Sequence, residues 1–253
     1  MCTISWLPSQ DGYEVRMNRD ERRSRPPAMP PSVIDAGEGK AITPRDPEGA
    51  GTWVGVNDRG VTVALANVYP ADPPPAPLRP RSRGLLVLDA LACPDGEAVM
   101  DLVEGADTER LQPFHLLAFQ PDQPVLAVVW DGRELTRRRY DQPGLVATSS
   151  SRDQRAAEGV RRSWFEVQAA LHGAFTGPLL DRLHRSRHPE PGAWAVSMER
   201  SDAATVSMST VIVDPETVSF VYTPGPPHRT HPGEPLVLAR SCLQAEGPRG
   251  KGD

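Results

Sequence analysis

The sequence is poor in cysteine, has no long apolar run and shows no excess of one charge. Its three cysteines, Cys2, Cys93 and Cys242, form no CxxC pair, so neither a disulfide framework nor zinc-ligand spacing is spelled out. No stretch of 18 apolar residues exists to span a bilayer, and charges begin at Asp11, too early for the apolar core of a secretory signal. These absences predict a cytoplasmic protein without stable membrane insertion. Lys and Arg number 28 against 33 Asp and Glu, a net charge of -5. The basic residues are scattered rather than striped, which gives no electrostatic footprint for nucleic acid. A small-molecule substrate or ligand is the expected partner.

What the chain has in quantity is proline, 28 residues among 253, concentrated in 26–31, 70–80 and 224–235. Proline fixes its own φ and removes a ladder donor, so these stretches read as loops. The length suits one large domain, expected over 1–240, followed by a flexible tail over 241–253; no internal repeat is visible.

Between the loops the dominant period is two. CTISWL alternates Cys2, Ile4 and Trp6 against Thr3 and Ser5; after a turn, YEVRMNR alternates Tyr13, Val15 and Met17 against Glu14, Arg16 and Asn18. The chain therefore opens on a hairpin. TWVGV with VTVALAN, and PVLAVVWDG with RELTRRRY, predict two more hairpins, and FHLLAF a further strand. Helices are predicted in SRGLLVLDALA, in PDGEAVMDLVE with Pro94 in its first turn, in SSSRDQRAAEGVRRSWFEVQAALHG and in TGPLLDRLHRS. In the third, Ser151 and Gln154 make a capping-box pattern, Val160, Trp164, Val167 and Leu171 mark an apolar face, and Gly173 stops the helix. Strands in AWAVSM, VSMSTVIVD and ETVSFVY close the chain. Strands, then helices, then strands predict an α+β fold of two stacked antiparallel sheets with helices outside.

The chemistry is concentrated at the start. Cys2 becomes the first residue once Met1 is removed, and its α-amine then has a pKa of about 7.7–8.0, suited to act as base for its own thiol. The strand alternation puts Cys2 on the inward face with Ile4 and Trp6. Asp20, on the hairpin partner, is placed to orient the amine. Asn67, closing VTVALAN on the face of Val61, Val63 and Leu65, is the candidate oxyanion donor.

The blocks MCTISW, MNRDERRSRPPAMPPSV, TPRDPEGAGTWVGVNDRGVTVALANVY, SRGLLVLDALA and QPFHLLAF, in this order, resemble those of the NRDE proteins, the transport and Golgi organisation 2 family. That family is placed among the N-terminal nucleophile hydrolases, so the resemblance implies a four-layer αββα sandwich. It implies Cys2 as nucleophile, with Arg19, Asp20 and Asn67 as its catalytic partners. Asn18, Glu21, Trp53, Ser149 and Ser150 are then the candidate substrate-binding residues. Two positions depart from the relatives: ATSSSRD has Ser149 or Ser150 where they have an asparagine, and TVSMSTVIV has Ser207 where an arginine is expected. The activity implied is hydrolysis or acyl transfer on a small amide or ester, with no cofactor and no metal. Because members of that family have been proposed to act in haem trafficking and in Golgi or lipid homeostasis, the resemblance also leaves a second reading. In it the same fold is a non-catalytic binding or trafficking protein, with haem as possible cargo.

The histidines take plainer roles. His228 and His231, three apart in a proline-rich loop, have no third ligand nearby. His184 and His188, at a helix end, read as a solvated face beside the helix dipole. His115 is expected to pair within its strand, and RELTRRRY to form a solvated edge.

Overall fold

The computed structural model describes residues 2–77 and 80–241. The opening hairpin is as the alternation predicts: β1 (Cys2–Ser9) pairs antiparallel with β2 (Gly12–Arg22), in a register that sets Cys2 opposite Arg19. Then come β3 (Met29–Ala36), β4 (Gly39–Arg45), β5 (Val54–Asn57) and β6 (Thr62–Asn67), followed by α1 (Arg83–Ala90) and α2 (Gly96–Glu104). A second group of strands comprises β7 (Phe114–Phe119), β8 (Val125–Trp130), β9 (Leu135–Tyr140) and β10 (Gly144–Thr148). The helices α3 (Gln154–His172) and α4 (Gly177–Arg185) precede β11 (Ala203–Val213), β12 (Thr217–Thr223) and β13 (Leu236–Ala239). One sheet has the order β10-β1-β2-β11-β12-β13 and the other β3-β4-β5-β6-β7-β8-β9, with every pairing antiparallel.

Alternation along each strand divides the core into layers. Ile4, Trp6, Val15 and Met17 meet Val54, Ala64, Leu117 and Phe119 between the sheets. The opposite face of the seven-stranded sheet packs Val63, Leu65 and Leu116 against Leu86, Val87 and Met100 of α1 and α2. On the outer side of the six-stranded sheet, Leu145 packs with Phe165, Leu179 and Leu183 of α3 and α4. The result is the four-layer αββα sandwich.

Several local expectations are corrected. Pro30 and Pro31 lie within β3 rather than in a loop; β3 is an edge strand, where missing donors are tolerated, and its register slips between Met29 and Ser32. AWAVSM forms no strand but a bent segment over the outer face of the six-stranded sheet. Pro94 precedes the α2 N-cap, which is Asp95. The N-cap of α3 is Asp153, whose carboxylate accepts from Ala156 N–H, not Ser151. Gln154 instead reaches back, accepting from Ser150 N–H and donating to Thr148 O. The buried face of α3 is Ala157, Arg161 and Phe165; Val167 and Leu171, expected inside, are 48% and 72% exposed. The tail falls, from residue 242 on and with Cys242, outside the described residues.

His184 is not on a solvated face. It is fully buried, its Nε2 2.8 Å from Ser5 Oγ and its Nδ1 3.0 Å from Asn18 Oδ1. Asn18 Nδ2 donates in turn to the His184 and Val196 carbonyls at 2.8 and 3.0 Å. This network fastens α4 and the bent segment to the β1–β2 hairpin. Burial, with Arg16 nearby, pushes His184 well below its ordinary range, and burial lowers His115 to about 4.

Two measurements check these features. Asp153→Ala should lower stability to urea by about 1 kcal/mol, the ordinary worth of an N-cap, while Ser151→Ala should leave it unchanged. The second concerns pH. Both histidines stay neutral when folded but take up protons when unfolded, so their stabilisation is complete above pH ~6.5 and erodes as pH falls below it. His184→Gln should therefore flatten the decline in unfolding free energy between pH 6 and 5 by about 1 kcal/mol per pH unit relative to the parent.

Candidate active site

Antiparallel pairing sends consecutive residues of β2 to opposite faces, so the run Asn18 to Glu21 serves two layers. Asn18 and Asp20 reach the helix layer, while Arg19 and Glu21 reach the other sheet. The Arg19 guanidinium lies 4.4 Å from the ring centroid of the buried Trp53, a cation–π contact. It also lies 3.4 Å from Glu21 and 3.8 Å from Asp46, which Arg25 holds at 2.6 Å. Burial raises the Asp46 carboxyl, but the Arg25 hydrogen bond and charge outweigh it and leave Asp46 below its ordinary range.

Cys2 sits at the inward end of β1, buried between the sheets. Its nitrogen donates to Ser149 Oγ at 2.8 Å and its carbonyl accepts from Ser149 N–H at 2.9 Å, extending the β1–β10 ladder. Burial pushes the thiol pKa up, so the resting group is a neutral thiol. Asp20 is buried too, its Oδ1 accepting from Thr205 Oγ1 at 2.5 Å and its Oδ2 lying 3.9 Å from Arg161. Burial raises its pKa and Arg161 opposes the rise.

A cavity of about 460 Å³ gathers Cys2, Arg19, Asp20, Glu21, Trp53 and Asn67. Half-buried Asn67 donates from Nδ2 to Tyr69 Oη at 3.1 Å, and Tyr69 lines the same cavity. Arg81, Arg83 and Arg200 complete a cationic wall. Three expected binding residues lie elsewhere. Asn18 faces α4, away from the cavity. Ser149 is held against the Cys2 main chain. Ser150 is buried, its N–H donating to Gln154 Oε1. Ser151, not singled out in the sequence, lines the cavity instead.

Arg161 is the principal residue missed. Its Nη1 donates to Thr3 Oγ1 at 3.0 Å and Thr148 Oγ1 at 2.7 Å; its Nε and Nη2 reach the Trp194 and Ala193 carbonyls at 3.3 Å. The signal was present, for an arginine midway between Ala157 and Phe165 at four-residue spacing must enter the buried face. Ser207, where an arginine was expected, is opposite Arg19 in the β2–β11 register. His228 is tied to Ser197 Oγ at 2.9 Å and His231 is exposed; among the described residues no cluster of three metal-ligating side chains occurs. No helix there is long and apolar enough to cross a membrane.

The fold is shared with penicillin V acylase from Agrobacterium tumefaciens, at a TM-score of 0.52 and 9% identity over 87% of this chain and 82% of that one. A mutant of conjugated bile acid hydrolase from Clostridium perfringens aligns at a TM-score of 0.54 and 10% identity, over 96% of this chain and 97% of that one. A further variant of that hydrolase gives 0.55 and 11%, over 94% and 96%. At such identities the likeness is one of fold, that of the N-terminal nucleophile hydrolases. No curated protein matches the chain. The family model described as Transport and Golgi organisation 2 matches residues 1–184, and to that family the chain belongs.

Proposed function

We propose that the protein is a cysteine N-terminal nucleophile hydrolase or acyl transferase acting on a small acyl amide or ester, with Cys2 exposed by removal of Met1. The observation that carries this reading is the single cavity into which Cys2, Arg19, Asp20 and Asn67 converge from three strands of two sheets. The fold neighbours are, by name, an acylase and a hydrolase, and we bring that chemistry to this chain.

The buried thiol is neutral at rest, so it needs a base at hand rather than a preformed thiolate. The Cys2 α-amine is that base. As Cys2 Sγ bonds to the acyl carbon, its proton passes to the amine, and the carbonyl electron pair moves onto oxygen. Asn67, which lines the same cavity as Cys2, is the proposed donor to that oxyanion. Collapse of the tetrahedral intermediate breaks the bond to the leaving amine or alcohol, which takes the proton from the Cys2 ammonium. Water, or an acceptor amine or alcohol, then attacks the thioester and releases the acyl group. Asp20 holds the amine, and Arg19, fixed over Trp53, sets one wall for the substrate. Side chains, the amine and water carry every step.

Cys2 should be alkylated by iodoacetamide faster than Cys93, which is buried, its thiol likewise pushed up by burial. Placing residues ahead of Cys2 turns the amine into a peptide nitrogen, so the extended protein should alkylate at least about tenfold more slowly. It should also lose any amidase or esterase activity while its unfolding temperature stays the same. Equal alkylation rates at Cys2 in the extended and native proteins, read by peptide mass spectrometry, would sink the nucleophile reading.

A further inference from the structure

Arg161 is a fully charged group on an otherwise apolar helix face, and its surroundings do not account for its charge except at one point. It is 1% exposed. Its acceptors are two threonine hydroxyls and the carbonyls of Ser149, Ala193 and Trp194, all neutral. An uncharged amide donor would serve several of these. Burying a guanidinium costs several kcal/mol unless a countercharge is close, and the carboxylate within ion-pair distance is Asp20, 3.9 Å away and itself 1% exposed.

The direction of the contacts is informative. Thr3 and Thr148 are cross-strand partners at the start of β1, joined by their hydroxyls at 3.1 Å. Arg161 thus grips the two strands on either side of the Cys2–Ser149 contact and presents its remaining edge to Asp20. The charged or titratable groups facing Asp20 are Arg161 from α3, Arg200 ahead of β11 and Cys2 from β1, with Thr205 of β11 as hydroxyl donor. Those facing Arg161 are Asp20, Cys2 and, lowered in part by the guanidinium, the buried His184 of α4. Burial works against the ionised form of each partner, and each opposes that effect in the other.

Building on the nucleophile reading above, we propose that Arg161 is a positioning residue that acts on Cys2 through Asp20. It supplies the countercharge that keeps the Asp20 carboxylate available to the Cys2 amine, while its threonine bonds fix the start of β1. The chain lacks an arginine at Ser207 on the sheet, and α3 delivers the guanidinium from the layer above. Without it burial favours the protonated form of Asp20, and a neutral carboxyl cannot stabilise the ammonium formed when the amine takes the thiol proton.

The test reads iodoacetamide alkylation of Cys2 in the Met1-free protein as a function of pH, so it needs no known substrate. Arg161→Gln should slow alkylation at pH 7 about tenfold, the equivalent of one pKa unit in the ammonium. Arg161→Lys, which keeps the charge, should stay within about threefold of the parent. Asp20→Asn should slow the reaction as much as Arg161→Gln, and the double variant should be no slower than Asp20→Asn alone, because the arginine then has nothing to act through. A parent rate in Arg161→Gln, or equal slowing by it with and without the Asp20 carboxylate, overturns the proposal and leaves Arg161 as a structural staple. Should Arg161→Gln alone not fold, Arg161→Lys and the double variant, in which both buried charges are removed together, decide the matter by the same comparisons. A parent Cys2 no faster than Cys93 removes the nucleophile reading, and this inference with it. A fast Cys2 unaffected at Arg161 removes only this inference.

Discussion

The site depends on one constraint, the antiparallel register that puts Cys2 opposite Arg19 at the end of the first hairpin. Side chains on a strand alternate between faces, so a slip by one residue would exchange the two sets completely. Arg19 would leave Trp53 for the helix layer, and Asp20 would lose Arg161 and Thr205. Register is pinned on both sides of β1. Ser149 clasps the Cys2 main chain from β10, while Trp6 and Val15, Ile4 and Met17 face one another in the inter-sheet core. The apolar half of the hairpin thereby fixes where its polar end falls.

Given that register, four consecutive residues do three different things. Asn18 binds α4 and the bent segment through His184 and Val196; Asp20 binds α3 and β11; Arg19 and Glu21 face the second sheet with Asp46 and Arg25. A polar cluster with no visible use in a surface turn thus joins the two sheets to the layer of α3 and α4. Arg19 and Asp20 are buried charges, and that is expensive unless each has a partner with good geometry. The partners come from remote points of the chain: Arg161, Thr205, Asp46 and Trp53.

This distribution explains what the sequence disclosed. Period-two alternation in CTISWL, YEVRMNR, VTVALAN and FHLLAF gave the central strands, because those strands have a plain inside and outside. It failed for β3, where prolines are tolerated on an edge, and for AWAVSM, whose apolar residues cover a sheet without joining it. The site was legible where its residues lie on the hairpin or close a regular strand, as with Cys2, Asp20 and Asn67. It was hidden where a helix supplies the group. Val160, Trp164, Val167 and Leu171 make the apparent apolar face of α3, one that Arg161 does not share; the buried stripe, Ala157, Arg161 and Phe165, contains a charge that a hydrophobic pattern discounts. His184 was hidden likewise, since a histidine among arginines at a helix end looks solvated until its buried partners Ser5 and Asn18 are known.

Drawing the guanidinium from a helix rather than from the sheet has a mechanical consequence. The strands alone can bring Cys2 and Arg19 together, because they are register partners. Asp20 acquires the Arg161 countercharge only when α3 has docked with Phe165 in the outer core and Arg161 between Thr3 and Thr148. Burial without that partner disfavours the Asp20 carboxylate. In the proposed mechanism, packing of the outer helix layer and readiness of the thiol are one event. The same physics that makes a lone buried charge costly leaves the site incomplete until the fourth layer closes.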